Sequence, residues 1–356
     1  MAKKVKYALI GFGGIAENRV AKEGFACDKS RFKPLKYAQL VGATDMNPAR
    51  KSAAKALGLK WYDNMDAILA DPSIDAVYIA TNNKSHAPLC LAALKAGKHV
   101  IVEKPAATSI KDAQAMIAAA KKRGLSLSVD HMMVNNAWNQ LAAKKVAAGA
   151  VGKVGDSCFH MEFAYGYDPA EAATWRCSKI EEMGGPIGDV ASHCFYVAEY
   201  VLGKQIRKVA AVYLPKVMKI KAEDGAYIKF FLEDGTQGSV KCAFSEMRGG
   251  LGGTLTNLGF EVYGDKAVIR TYGSLFQLSG YNDEPIRIRM ELDDCGKVKE
   301  LVPAKIQNIY QTLIEEHAKS VASGKPLNIE GGLHNLKLCA AAHQSAQNGG
   351  KIITVK

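Results

Sequence analysis

Val5-Lys6-Tyr7-Ala8-Leu9-Ile10-Gly11-Phe12-Gly13-Gly14-Ile15-Ala16 is the stretch that decides the fold. Its first half reads as a buried strand. Its second half matches G-x-G-x-x-G/A, with Ala16 in the third small position. The first glycine permits a tight turn, the second lets backbone approach a pyrophosphate, and the small third residue lets a helix pack on the strand. That helix offers unpaired N–H groups and a positive dipole end to the phosphates. Glycines alone carry little information, but glycines between a strand and a helix indicate a dinucleotide site. Gly11, Phe12, Gly13, Gly14 and Ile15 are therefore candidate cofactor-binding residues.

The pattern continues outward. Gln39–Thr44 reads as the second strand, and Asp45 ends it, 45 − 11 = 34 residues after Gly11, where about 20 are usual. Cys27–Lys36, a polar stretch with Pro34, accounts for the excess as an insertion. The Asp45 carboxylate can accept ribose hydroxyls and repels a 2′-phosphate, which favours NAD over NADP; Met46 lies beside it. Two readings oppose this one. Asp45 can instead cap the segment opening at Pro48, and Arg50 can accommodate a 2′-phosphate. Helices are expected at Pro48–Leu57, Met65–Leu69, His86–Ala96 and Ile110–Arg123. Strands are expected at Lys60–Tyr62, Ala76–Ala80, His99–Val102 and Leu125–Val129. This alternation indicates a doubly wound parallel sheet. The run His99-Val100-Ile101-Val102 delivers Glu103, Lys104 and Pro105 to its carboxyl edge, where ligands of such sheets bind.

The chain has 356 residues, 48% apolar and 23% charged, which suggests a soluble protein of two domains. We place a Rossmann NAD-binding domain at 1–130 and an α/β substrate-binding and oligomerisation domain at 131–356, whose last helix and tail, Ile352–Val355, can return to the first. The net charge of +12 serves general solubility or an anionic ligand such as a dinucleotide or acidic sugar. The lysines are spread and no arginine-rich tract is present, so nucleic acid is not expected. No apolar run has the length of a membrane helix, and the basic start Met1–Lys6 leads into a strand rather than a signal sequence. Eight cysteines without a C-x-x-C pair argue against a zinc knuckle or a disulfide framework and fit a cytoplasmic protein.

Beyond about residue 150 the pattern becomes β-rich. Phe159–Tyr165 alternates. Glu233-Asp234-Gly235-Thr236 turns between Tyr227–Leu232 and Gly238–Phe244, and Gly264-Asp265 between Phe260–Tyr263 and Ala267–Tyr272. Such pairs are strong hairpin signals. Ile286–Leu292 and Val298–Val302 add strands, and helices are expected at about Asp189–Leu202, Lys305–Ser323 and Leu333–Gln347. The expected class is thus a parallel Rossmann sheet followed by an open, largely antiparallel sheet flanked by helices. Two stretches carry chemistry: Trp175-Arg176, and the glycine-rich run from Gly184 to Gly188 that leads into Asp189 and His193. Asp189 and His193 are four apart and share a helical face. Asp189 can also simply cap its helix, and His193 can be a core histidine. A third metal ligand is not evident, so no metal is expected.

These residues together resemble the glucose–fructose oxidoreductase / inositol dehydrogenase / rhizopine-catabolism (Gfo/Idh/MocA) family. The resemblance rests on Gly11–Ala16, Thr81-Asn82-Asn83 with His86, Ala96–Val100 leading to Glu103-Lys104-Pro105, Trp175-Arg176, and Gly185 through Asp189 to His193. It implies a bound nicotinamide cofactor, a homodimer or homotetramer built through the C-terminal sheet, and Lys104, Asp189 and His193 as catalytic residues. It adds Thr81, Asn83, His86, Glu103, Lys104, Trp175 and Arg176 to the cofactor-binding set. Lys104, His131, Tyr165, Arg176, Asp189 and His193 form the substrate-binding set. The Lys-Pro bond is often cis in this family. The chain departs from the pattern at Asn82, at Ala191, at Tyr196, where an acidic residue is usual, and at Asp130–Met133, which lacks an arginine.

The implied reaction is hydride transfer between a secondary alcohol of a sugar or polyol and NAD. His193, with a reference pKa near 6.5, is the candidate base. Lys104 would need a drop of roughly three units to act as base; as a cation it stabilises the developing alkoxide. Asp189 positions the hydroxyl or the imidazole. An alternative is a glycoside hydrolase that oxidises a sugar hydroxyl transiently and recycles its NAD, with Tyr165, His131 or His160 as the further base. A third reading is a nucleotide sensor without catalysis.

Overall fold

The computed structural model describes residues 4–246, 258–275 and 287–356; Ile286, at the start of one expected strand, lies outside them. The chain forms two compact units. One comprises Met1–Met132 with Asn308–Leu333, the other Met133–Gln307 with His334–Lys356.

The first unit is built on six parallel strands: β1 (Val5–Ile10), β2 (Ala38–Thr44), β3 (Lys60–Trp61), β4 (Ala76–Ile79), β5 (His99–Val102) and β6 (Leu127–Val129). Their order is β3-β2-β1-β4-β5-β6, every pair parallel. The order reverses between β1 and β4, and ligands of open α/β sheets bind at that switch point. β4 is buried throughout, as are Val100, Ile101 and Val102 of β5, because helices cover both faces. The helix after the glycines, Ala16–Gly24, has wide π-type turns.

Boundaries follow caps more than apolar periodicity. The helix expected from His86 begins at Asn83, because the Asn82 side chain accepts the Ser85 N–H at 3.1 Å; a cap sets a helix start. The helix Ile110–Arg123 is as expected, with Ser109 capping it and Gly124 closing it at φ +63°. Asn308–Leu333 completes this unit. Its helix Ile309–Ser323 brings His317 Nδ1 to 2.7 Å from the Tyr7 hydroxyl, and Asn308 Nδ2 donates to Glu23 at 3.0 Å. The return to the first unit is thus made by this helix. The terminal helix from His334 onward and the tail belong to the second unit.

The second unit carries nine strands in the order β14-β13-β12-β11-β7-β10-β9-β8-β15. They are β7 (Val154–Glu162), β8 (Ile206–Tyr213), β9 (Gly225–Leu232), β10 (Gln237–Ala243), β11 (Leu258–Gly264), β12 (Val268–Tyr272), β13 (Arg289–Asp293), β14 (Val298–Glu300) and β15 (Ile353–Thr354). All pair antiparallel except β7 with β10. β15 is the tail, hydrogen-bonded to β8. Besides short helical turns, one strand and one long helix of this unit were not expected. β8 has a register irregularity between Ile206 and Lys208, and a bulge breaks the two-residue alternation. The helix Ala137–Ala147 starts at Asn136, whose side chain accepts two backbone N–H groups. Among the described residues no helix is long and apolar enough to cross a membrane.

Candidate active site

In the first unit, Gly11 holds φ +88°, and its N–H donates to Thr44 O at 3.0 Å. A Cβ on Gly11 would lie 2.6 Å from Ala80 O and 2.8 Å from Thr81 Cγ2, whereas Cβ atoms on Gly13 and Gly14 would meet nothing within 4 Å. One glycine is therefore demanded by the protein itself. The other two leave an open backbone surface, the shape a pyrophosphate needs. Asp45 fastens this turn: Oδ2 accepts the Phe12 N–H at 2.6 Å and Oδ1 the Asn47 N–H at 2.8 Å. The cap of the Pro48 segment is Asn47, which accepts from Ala49 N at 3.0 Å, so Asp45 does not fill its competing role. Arg50 donates to Phe12 O at 2.7 Å and pairs with Glu17; its guanidinium is committed to the turn. Ile15 and Met46 are exposed beside it. The turn, its open surface and the Asp45 carboxylate fit a dinucleotide whose ribose hydroxyls are unphosphorylated.

Thr81 follows β4, and its hydroxyl accepts from Ser85 Oγ at 2.8 Å. His86 is fully buried. Its Nδ1 lies 2.8 Å from Pro105 O and its Nε2 3.3 Å from Thr81 O. Burial lowers its pKa, with the Lys104 charge adding to this, while the Pro105 and Thr81 carbonyls oppose it. His86 thus ties the turn after β4 to the turn after β5. With no exposed surface it acts through those turns rather than by touching a cofactor, and the buried Asn83 beside the same turn offers little more. The Lys104–Pro105 bond is cis. Glu103 lies under it, with the Tyr78 hydroxyl donating to Oε1 at 3.2 Å and to Asp130 Oδ2.

In the second unit, Trp175 and Arg176 open the short helix Trp175–Ser178. The Arg176 guanidinium lies over the Trp175 ring at 4.7 Å, and its Nε is 3.3 Å from Asp189 Oδ2. Three residues singled out in the sequence are thereby joined. Asp189 sits in a wide turn, Ile187–Ala191, that runs into the helix Ser192–Leu202. Gly184 and Gly188 before it are packed against backbone, and Gly185 against the Glu223 carboxyl. A Cβ on Gly188 would lie 2.2 Å from Met183 O, and one on Gly184 2.5 Å from Trp175 O. His193 is buried, with Nδ1 at 2.6 Å from the Tyr196 hydroxyl, which accepts the Met133 N–H at 3.4 Å. Tyr196, where the family usually has an acid, therefore orients the imidazole.

Glu223 is a site residue that the sequence did not flag. It is buried, and Oε1 accepts the Ile187 N–H at 2.9 Å, at the start of the Asp189 turn. Burial pushes its carboxyl up to about 7, with the neighbouring Asp224 charge adding to this. An acid whose folded pKa is raised is penalised by ionising, so stability falls as pH rises from about 4.5 through about 7. Glu223→Gln keeps the acceptor without the charge. Its stabilising effect in chemical denaturation should be roughly 2 kcal/mol larger at about pH 8 than at about pH 5.5; equal effects at both pH values would contradict the assignment.

The further bases that a glycosidase would need are badly placed electrostatically. Burial, joined by the Lys104 charge, drives His131 down to about 3. Burial also disfavours charge on His160, but hydrogen bonds to Cys158, Glu162 and Glu261 outweigh it and raise its pKa to about 11. Tyr165 is half-buried, with its hydroxyl 3.4 Å from Thr174 Oγ1.

Comparison with known proteins agrees with this geometry. Residues 5–131 match the profile described as oxidoreductase family, NAD-binding Rossmann fold, and residues 139–270 match the GFO/IDH/MocA C-terminal domain. The chain is 27% identical over 297 residues to the 1,5-anhydro-D-fructose reductase of Ensifer adhaerens, covering 80% of this chain and 81% of that protein. It is 25% identical over 363 residues to the scyllo-inositol 2-dehydrogenase (NAD(+)) of Bacillus subtilis, covering 98% and 96%. Among solved structures, it is similar to an aldose-aldose oxidoreductase from Caulobacter crescentus complexed with glycerol, with a TM-score of 0.85, 23% identity, and 99% and 100% coverage. It is also similar to a levoglucosan dehydrogenase in complex with NADH and levoglucosan, with a TM-score of 0.81, 22% identity, and 99% and 100% coverage. These structural likenesses establish the fold.

Proposed function

The chain belongs to the Gfo/Idh/MocA family of oxidoreductases, and from that premise we propose that it transfers hydride between a secondary alcohol of a sugar or polyol and NAD. The observation that carries this reading is the carboxyl edge of the first sheet, where a glycine turn shaped for a dinucleotide follows β1 and, beyond the intervening β4, the turn after β5 presents Lys104. Bound NAD supplies the hydride acceptor; the protein supplies binding, orientation and electrostatics. Gly11–Ile15 and Asp45 hold the pyrophosphate and the adenosine ribose. Lys104 stabilises negative charge on the reacting oxygen. His193, with Nδ1–H donated to Tyr196, presents Nε2 to take the hydroxyl proton. Asp189, paired with Arg176, orients the substrate, and Trp175 shields the reacting face from water.

The related proteins whose names mention inositol and anhydrofructose support a sugar or polyol substrate, and the net charge of +12 favours one carrying an anionic group. The relatives named above are reductases and dehydrogenases, which gives the glycosidase alternative no support. The decisive experiment is incubation with NAD and a panel of sugars, polyols and aryl glycosides, reading NADH absorbance and released aglycone together. NADH formation with a free sugar supports the reading; aglycone release without NADH overturns it. Asp45→Ser should raise the ratio of NADP to NAD use in kcat/KM at least about tenfold, by removing a like charge worth more than about 1.4 kcal/mol; an unchanged ratio would remove Asp45 from the ribose site. We further infer a homo-oligomer through the nine-stranded sheet, because Val212, Tyr227 and Tyr263 leave large apolar side chains exposed on its strands. Its mass by light scattering tests this. Eight cysteines, none of them in a disulfide among the described residues, fit a cytoplasmic location.

A further inference from the structure

Val102 and Val129 are paired across β5 and β6, so the next residues, Glu103 and Asp130, leave the sheet side by side. The Asp130 N–H donates to Val102 O at 2.8 Å. Tyr78, two residues back in register on β4, points to the same face and has one hydroxyl proton for both carboxyl groups. Asp130 has no exposed surface, and its Oδ1 has no hydrogen-bond partner. The Tyr78 hydroxyl thus bridges the two carboxyl groups. Two carboxylates drawn to one hydroxyl, with Asp130 fully buried, cannot both stay ionised. The surrounding groups do not offer an alternative. Tyr310, from the helix Ile309–Ser323, is buried and its phenol is pushed well above its ordinary range by burial. The cation that Glu103 feels is Lys104.

The pair is also tied to the sheet through its main chain, the Glu103 N–H donating to Ile79 O at 2.9 Å as the Asp130 N–H does to Val102 O. We propose that Glu103 and Asp130 hold one proton between them, Asp130 as a neutral acid, and that this pair is the positioning element that fixes Lys104 and leaves a single negative charge beside its ammonium. A fully ionised pair would bury a second charge without a partner, at a heavy cost. A fully neutral pair would leave the lysine without that counter-charge. The role rests on the reading of Lys104 as the group at the reacting oxygen, whereas the shared proton does not.

Infrared spectroscopy of the full chain at neutral pH should show a protonated-carboxyl C=O stretch that Asp130→Asn removes. The amide still donates toward Glu103, so this variant should keep kcat within about threefold. Asp130→Ala removes the donor and lets the Lys104 turn shift. It should lose roughly 10- to 100-fold in kcat, the scale of a small misplacement of a reacting group, with the KM for NAD nearly unchanged. A protonated-carboxyl band left unchanged by Asp130→Asn would overturn the shared proton. An Asn variant as impaired as the Ala variant, or an Ala variant as active as the parent, would overturn the positioning role. If no alcohol is oxidised by the parent protein, the functional reading fails while the infrared result still decides the proton.

Discussion

Lys104→Ala should lower kcat by roughly 10²–10³-fold with the accepted alcohol, the usual loss when a group that stabilises developing charge is removed. The affinity for NAD should change far less, because the pyrophosphate and ribose are held at the glycine turn and Asp45. Lys104 is half-buried on a turn already fixed by His86 and by the cis bond, so the melting temperature should stay close to that of the parent. Lys104→Arg should recover little, since a planar guanidinium does not replace a compact ammonium at one oxygen. Stopped-flow measurement of NADH formation under saturating substrate separates these effects. A near-parental rate in the alanine variant would remove Lys104 from the chemistry.

The second large effect is expected at Gly11. Alanine there would have to adopt φ +88° with its Cβ 2.6 Å from Ala80 O. A left-handed conformation costs about 1–2 kcal/mol for an ordinary residue, and backbone cannot yield as a side-chain tip would. The turn between β1 and the first helix must move away from the end of β4. Gly11→Ala should therefore lose about 2–4 kcal/mol of stability and at least about 100-fold in NAD affinity, which is roughly 2.7 kcal/mol. Gly14→Ala is the informative partner. Its Cβ enters open space, so stability should hold while NAD affinity falls. Calorimetric titration with NAD and thermal melts of both variants test the pair; Gly14→Ala binding NAD as tightly as the parent would show that the open surface is not where phosphates lie.

Much of this was legible in the sequence, for physical reasons that differ by region. The first sheet declared itself because its strands are buried on both faces and its turns need glycine. Asp189 and His193 showed themselves as a pair through their four-residue spacing, but only the family pattern joined Lys104 to them, since no spacing in a sequence links it to the other two. The structure adds what joins them to their surroundings: Arg176 on Asp189, Tyr196 on His193 and His86 on Pro105. His86 changes role, from a cofactor contact to a brace between two turns, because total burial of a ring cannot be read from its neighbours in the chain. Glu223 and Tyr78 were missed for a similar reason. Glu223 lies in an unpatterned connection before β9, and Tyr78 reads as one more apolar residue of β4 until the hydroxyl is found to need partners. Asn136 and the bulge in β8 hid a helix and a strand by breaking periodicity where pattern reading depends on it.

The helix that completes the first unit has a consequence for biosynthesis. Tyr7, Glu23, Lys36, Tyr37 and Ser126 all find partners between Asn308 and Leu327, so the segment ending at Met132 emerges from a ribosome with one face uncovered. From 132 to 308 is 308 − 132 = 176 residues, roughly 9–35 s of translation at ordinary rates. During that interval the second unit's segments are being made, and the nucleotide-binding unit waits for its last helix. NAD then becomes a ligand only after Asn308–Leu333 has been made, and a product truncated before Asn308 lacks the cover its first sheet requires.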